Sequence, residues 1–294
     1  MKKLFITGGS GFVGTHLTGL AVQNYEVYSV YSQNLPGNQQ AALIQVDLTD
    51  KDQIQSALNQ IKPDVIIHTA AISKPDLCEK FREMTEQVNI LATVILATWA
   101  KKNNARFIFT SSDMVFDGKS RNYHESDLPN PISYYGETKA LAERKLLKMD
   151  FNCVVARVAL VYGIGEFHHE NFFHTMVNNL IKGQKVNLFH DQFRTPIYVE
   201  NLAEAMLDLA ENNFTGVIHI GGSERISRWD FGLKTCDILD LPREMLQRGS
   251  MFDFPSAASR PQDVSMCTDL AKKVLKVKLL NCNVGLIRVK KILQ

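Results

Sequence analysis

The chain has 294 residues, 45% of them apolar and 22% charged, so it can bury a full core without staples and lies far from the composition of a disordered segment. A formal net charge of +2 supplies no global field to gather nucleic acid or anionic lipid, and neither is expected as a partner. Five widely spaced cysteines (Cys78, Cys153, Cys236, Cys267 and Cys282), odd in number and without a Cys-x-x-Cys pair, argue against a disulfide framework and a thiolate zinc site.

The pattern along the chain is alternation. Lys3–Thr7 reads as a short buried strand, followed by glycines and the periodic stretch Val13–Val22. The apolar start ends at Thr7-Gly8-Gly9, too early for a signal peptide. Glu26–Val30 and Ala42–Val46 read as strands two and three, Gln53–Gln60 as a helix and Val65–His68 as strand four. Leu77–Lys101 reads as one long helix; its weakly polar part, Ile90 to Ala100, is too short to span a bilayer. Arg106–Thr110, the helix Tyr135–Lys148 and the strand Cys153–Val158 follow. Strands alternating with helices predict right-handed crossovers and an α/β fold, a doubly wound parallel sheet. Continuous apolar strands such as Val65-Ile66-Ile67 suit a sheet covered on both faces.

After Tyr162 the rhythm loosens. Strand-like runs recur at Lys185–Leu188 and Val217–Ile220, with a helix Val199–Leu209 between them. The irregular remainder suggests a smaller interleaved C-terminal lobe. The expected division is 1–163 with 183–222 for nucleotide binding, and 164–182 with 223–294 for substrate. The tail is basic, with Lys272, Lys273, Lys276, Lys278, Arg288, Lys290 and Lys291 following Asp269 without an acid. A solvated face is the expected meaning, and a docking patch for an acidic partner the alternative. A soluble cytoplasmic enzyme is the overall expectation.

Gly8, Gly11 and Gly14 are spaced GxxGxxG between the first strand and a helix. There, glycines allow a tight turn, close approach to a pyrophosphate and close helix–strand packing, while the helix start offers amides to the phosphates. This predicts a dinucleotide site. A carboxylate at the end of strand two would select NAD, but Val30-Tyr31-Ser32-Gln33-Asn34 has none and Glu26 comes too early. The preference therefore leans to NADP(H), with NAD(H) still open because no arginine is nearby to grip a 2′-phosphate. Asp47-Leu48, after strand three, either meets the adenine amine or is a plain turn.

Tyr135-Gly136-Glu137-Thr138-Lys139 places a phenol and an ammonium four apart on one helix face. The cation should lower the phenol pKa and make Tyr135 a proton donor to a carbonyl gaining hydride. Ser112, ending the strand in Thr110-Ser111-Ser112-Asp113-Met114-Val115-Phe116-Asp117-Gly118, faces the ligand edge of a parallel sheet and could polarise that carbonyl.

Together these features resemble the extended short-chain dehydrogenase/reductase family, whose fold is the Rossmann type. The segment Ser111–Gly118 looks like the STDYVFDG segment of the family's dTDP-4-dehydrorhamnose reductase branch. Arg194-Thr195-Pro196, His219-Ile220-Gly221, Arg260-Pro261, His68-Thr69-Ala70-Ala71 and Asn89 are similar as well. The resemblance implies that Gly11, Phe12 and Val13 line the pyrophosphate, Asp47 and Leu48 meet adenine, and Ala70, Ala71 and Ile72 run beside the nicotinamide ribose. It gives Lys139 the ribose as well as Tyr135. It implies a catalytic set of Ser112, Tyr135 and Lys139, with Ser112, Asp113, Asn171, Arg194 and Arg260 on a nucleotide-sugar substrate, and homodimers are common in the family.

Met114 stands where that branch carries tyrosine, which puts substrate choice in question. It also removes the Asp-Glu pair of the family's dehydratases, and the missing strand-two carboxylate disfavours epimerases. The activity implied is NADPH-dependent reduction of a 4-keto deoxysugar nucleotide. The competing readings are a non-catalytic NADP-binding regulatory protein resembling the β subunit of methionine adenosyltransferase, and another extended short-chain epimerase or dehydratase. His169 and His174 are five apart, about 140° around a helix, so Phe167–His174 is no HExxH metal motif and reads as a flap over the sugar. No metal is expected.

Overall fold

In chain order the first half runs β1 (Lys2–Thr7), α1 (Phe12–Ala21), β2 (Tyr25–Tyr31), β3 (Ala42–Gln45), α2 (Lys51–Ile61), β4 (Val65–His68), α3 (Pro75–Lys80), α4 (Arg82–Glu86), α5 (Ala92–Lys102), β5 (Arg106–Ser112), α6 (Tyr134–Leu147) and β6 (Cys153–Val158). The second half runs β7 (Val161–Tyr162), α7 (Phe172–Ile181), β8 (Val186–Phe189), β9 (Phe193–Arg194), β10 (Ile197–Tyr198), α8 (Val199–Glu211), β11 (Gly216–Ile220), β12 (Ile226–Ser227), α9 (Arg228–Leu239), β13 (Leu246–Gly249), α10 (Asp269–Val274) and α11 (Cys282–Leu293). The structure is a computed structural model that describes residues 1–37, 40–165, 171–254 and 256–294.

Seven strands form one sheet in the order β11-β6-β5-β4-β1-β2-β3, and every neighbouring pair is parallel. Side chains alternate between its faces, which is why the strands need apolar residues at every position. Leu4 and Ile6 enter a core with Leu17 of α1 and Leu202 and Met206 of α8. Phe5 enters the opposite core with Ile54 and Leu58 of α2, Leu96 of α5 and Leu146 of α6. The strand order reverses between β1 and β4, so the loops after those two strands diverge and open a crevice at their carboxyl ends.

A third core lies outside the sheet and joins Tyr162, Phe173 and Val177 to Leu188, Phe231, Leu246 and Leu286. The run expected at Lys185–Leu188 forms β8, but it pairs in parallel with β13 and contributes Leu188 to this third core. Val217–Ile220 joins the main sheet as part of β11, beside β6.

The single helix expected over Leu77–Lys101 is broken. Pro75 opens α3, and Phe81 at φ −122°, ψ 59° separates it from α4. Gln87–Leu91 then widens into a π-turn before α5 begins. The periodicity survives the breaks because the buried face continues through Cys78, Thr85, Asn89, Ala92 and Leu96. In the tail, Lys272 pairs with Asp269, Arg288 with Glu204 and Lys290 with Asp240, all at least partly exposed, which is the solvated face expected. All five cysteines are buried and free. Among the described residues, no helix is long and apolar enough to cross a membrane.

Candidate active site

The crevice begins where β1 delivers the chain into Gly8, which turns at φ +71°. Gly14 lies so close beneath this turn that a Cβ there would sit 2.0 Å from the Gly8 carbonyl oxygen, so no larger residue fits. Gly11 caps α1 without a side-chain hydrogen bond, and the first turn carries no acid. The amide ends of Phe12 and Val13 therefore point to the crevice with the positive end of α1, a surface that suits a pyrophosphate. β2 ends at Tyr31 and runs into Ser32, Gln33 and Asn34, leaving no carboxylate to repel a 2′-phosphate. Asp47 is exposed, and its Oδ1 accepts from both the backbone N and the Oγ1 of Thr49 at 2.8 Å, which is the turn geometry of the plainer expectation. Leu48 packs at the edge of the core that holds α2.

The loop after β4 forms the opposite wall. His68 is buried between Thr7 Oγ1 at 2.6 Å and Thr93 Oγ1 at 2.8 Å; burial, aided by the Lys139 charge, pushes its pKa down to about 3, so it stays neutral. Beyond it, Ala70, Ala71 and Ile72 are half-buried along the crevice. Asn89, in the π-turn, accepts from the Ile72 amide at 2.9 Å and donates to the Ile72 carbonyl at 3.1 Å. Its Nδ2 also reaches Thr138 Oγ1 at 3.2 Å, which ties this loop to α6.

Ser112 and Tyr135 meet across the crevice, their hydroxyls hydrogen-bonded. Two features hold them there. Ser133 caps α6 by accepting from the Gly136 amide, and Gly136 packs against the Met114 carbonyl, where a Cβ would come within 2.2 Å. Ser112 Oγ in turn accepts from the Met114 amide at 3.1 Å. Met114 thus serves through its backbone, with its side chain half-buried.

Lys139 is buried, its Nζ donating to the Thr110 carbonyl at 2.8 Å and standing 6.0 Å from the Tyr135 ring centre. The expected lowering of the Tyr135 pKa does not occur. Burial raises it above the ordinary phenol value, the Ser112 bond opposes this, and the charges of Asp113 and Cys78 add to the rise. Desolvation wins because the phenolate would be the unsolvated charge. Lys139 itself is pushed down to about 8 by burial, against the pull of Glu143 and Cys78. The result is a protonated phenol beside a cation, the form that a proton donor needs.

Asp113 is buried beside Ser112, its Oδ2 without a hydrogen-bond partner and in a long ion pair with Arg194 Nε at 3.9 Å. Burial raises its carboxyl to about 6, with Arg194 the main opposing influence. Arg194 is mostly committed within the protein, donating to the carbonyls of Phe193, Pro261 and Gln262. Arg260 bonds Asp76 of α3 at 2.6 Å, an ion pair between distant parts of the chain. Asn171 caps α7 by accepting from the His174 amide and donates to the Gly163 carbonyl at 3.3 Å. The expected flap, Phe167–His174, lies outside the described residues up to Glu170, so only its last four residues can be placed.

Two features escaped the sequence. Glu143 and Arg157 form a buried ion pair at 2.9 Å that also takes the Ser111 hydroxyl, directly behind Ser112 and Lys139. The Lys139 and Glu143 spacing of four on α6 was a readable signal for half of it. Arg228, at the start of α9, places its guanidinium 3.5 Å from the Phe172 ring centre, and nothing in its irregular local sequence announces that.

The family model for the RmlD substrate binding domain matches residues 1–293. The chain is 30% identical over 287 residues to dTDP-4-dehydrorhamnose reductase of Aggregatibacter actinomycetemcomitans, covering 92% of each. It is 29% identical over 274 residues to the methionine adenosyltransferase 2 subunit beta of Bos taurus, covering 90% of this chain and 80% of the relative. Among solved structures, a hypothetical dTDP-4-dehydrorhamnose reductase from Sulfolobus tokodaii superposes with a TM-score of 0.85 at 33% identity, over 96% of this chain and 97% of that one. A Bacillus anthracis dTDP-4-dehydrorhamnose reductase in complex with NADP shares the fold at a TM-score of 0.88 and 24% identity, over 100% of this chain and 99% of that one. With the glycine loop, the Ser112–Tyr135–Lys139 group and a match over nearly its whole length, the chain belongs to the RmlD substrate binding domain family.

Proposed function

We propose that the protein is an NADPH-dependent reductase of the 4-keto group of a nucleotide-activated deoxysugar. The observation that carries this is the Ser112–Tyr135 hydroxyl pair, with the phenol held protonated, at the mouth of a crevice whose glycine turn suits a dinucleotide. Gly8, Gly11, Phe12, Val13 and Gly14 would hold the pyrophosphate of the cofactor, Asp47 and Leu48 the adenine end, and Ala70 to Ile72 with Lys139 the nicotinamide ribose. When bound, the nicotinamide supplies the hydride.

The chain's own residues do the rest. Ser112 orients the ketone oxygen, and Tyr135 gives it the proton as the carbonyl becomes an alcohol. Lys139 keeps positive charge beside the phenolate left behind. Asp113 faces the sugar, with Asn171, Arg194 and Arg260 toward the substrate. The uncharged end of β2 supports NADPH, with NADH a weaker substitute. A homodimer through α4, the π-turn that follows it and α6 is supported by exposed Phe81, Met84, Leu91, Leu141 and Leu147.

The test is NADPH and NADH oxidation with dTDP-4-dehydro-6-deoxy-L-lyxo-hexose. Turnover with NADPH should fall roughly 10²–10⁴-fold in Tyr135→Phe, the usual weight of a general acid. Cofactor binding without turnover in the parent protein would instead favour a regulatory role, like that of the methionine adenosyltransferase subunit.

A further inference from the structure

A reductase of a nucleotide sugar must hold a diphosphate, and the distribution of cations around the crevice says which residue is free to do so. Arg194 is buried and gives its guanidinium to three backbone carbonyls, with Asp113 at 3.9 Å. Arg260 is engaged with Asp76. Arg228 differs from both. Its guanidinium rests 3.5 Å from the centre of the Phe172 ring, and among the described residues no carboxylate lies within ion-pair reach. Ser227, which precedes it, caps α9, and the Arg228 amide donates to the Gln192 carbonyl at 2.9 Å, so the side chain leaves a fixed backbone.

The surroundings of Arg228 are cationic. Burial first, then the charges of Arg194 and Arg260, push its pKa down to about 9. A partly buried guanidinium that feels the repulsion of two like charges is in an unfavourable setting that a dianion would relieve. The planar fork of arginine also matches two phosphate oxygens at once. Phe172 fixes the plane of that fork on one side, and it belongs to α7, whose cap Asn171 lies next to it.

We propose that Arg228, stacked on Phe172, is the specific anchor for the diphosphate of the substrate, with Arg194 and Arg260 contributing background charge. This rests on the reductase reading for the identity of the ligand, though not for the existence of the anion site. Arg228 positions the substrate from afar and takes no part in proton or hydride transfer. It should therefore act on KM and leave kcat nearly alone.

The experiment uses the full chain saturated with NADP⁺, so that the cofactor's own pyrophosphate site is filled. Inorganic pyrophosphate and dTDP are titrated by calorimetry into the parent, Arg228→Gln, Arg228→Lys and Phe172→Leu proteins. Both ligands should bind the parent. Their Kd should rise roughly tenfold to a hundredfold in Arg228→Gln, the range of a lost charged hydrogen bond, with partial recovery in Arg228→Lys. Phe172→Leu should weaken binding less, and it serves if Arg228→Gln does not fold. With the sugar nucleotide as substrate, Arg228→Gln should raise KM by a similar factor while kcat changes less than about threefold. Unchanged dTDP affinity in Arg228→Gln, or no pyrophosphate binding by the parent, would overturn the proposal. Pyrophosphate and dTDP binding that depends on Arg228, without any turnover of the deoxysugar, would sink the reductase reading and leave the anion site standing.

Discussion

The two central side chains of the crevice, Tyr135 and Lys139, are governed by burial more than by each other. The phenol is raised by desolvation, and the ammonium is lowered to about 8 by the same cause. The sign of the pH effect follows. Below about pH 8 Lys139 is charged and, in the proposed mechanism, would support the developing phenolate; as pH rises through that value the charge and that support would be lost. The kcat/KM for ketone reduction, which reports ionisations of the free protein, should therefore fall above about pH 8. A profile that stays flat to pH 10 would show that Lys139 does not titrate there. The spacing of Tyr135 and Lys139 was legible in the sequence, but the direction of the phenol shift was not. A cation four residues away predicts a fall, and only the packing around β5 and α6 reveals how much solvation the pair gives up.

At the level of elements, α6 is the piece that assembles the site. It carries Tyr135 and Lys139 on one turn, packs through Gly136 against the carbonyl of Met114, and is anchored to β6 by the Glu143–Arg157 pair. Both members of that pair are almost fully buried, with side-chain exposures of 2% and 3%. Removing one partner strands the other charge, so Glu143→Ala should cost about 3–5 kcal/mol in denaturant unfolding. Replacing the pair together, Glu143→Leu with Arg157→Met, should cost clearly less, because no charge is then left unsatisfied. The same element logic explains the break in the helix expected over Leu77–Lys101. Apolar periodicity marks which face is buried, but Asn89 bonds both the amide and the carbonyl of Ile72, and the π-turn carries that buried side chain. A polar residue on the buried face was the one clue, and its partner lies 17 residues away.

For the whole molecule, Arg260 and Asp76, partly exposed side chains 184 residues apart, tie the C-terminal region to α3. A pair of that kind contributes little, so Arg260→Ala should lower stability by less than about 1 kcal/mol in thermal or denaturant unfolding. Its effect on substrate KM should stay well below that of Arg228→Gln. The doubly wound sheet was written in the sequence, because buried parallel strands must be continuous apolar runs and the turn after β1 needs glycine at fixed spacings. The Tyr-x-x-x-Lys pair and the strand-end serine were equally local, since one turn of helix and one strand terminus place them. What the tertiary structure decided is everything that joins distant segments: β8 leaving the sheet for β13, Arg194 spent on the carbonyls of Pro261 and Gln262, and Arg228 coming to rest on Phe172. Periodicity records which face of an element is buried, whereas the partner of a buried charge is fixed only when chains far apart in sequence pack together.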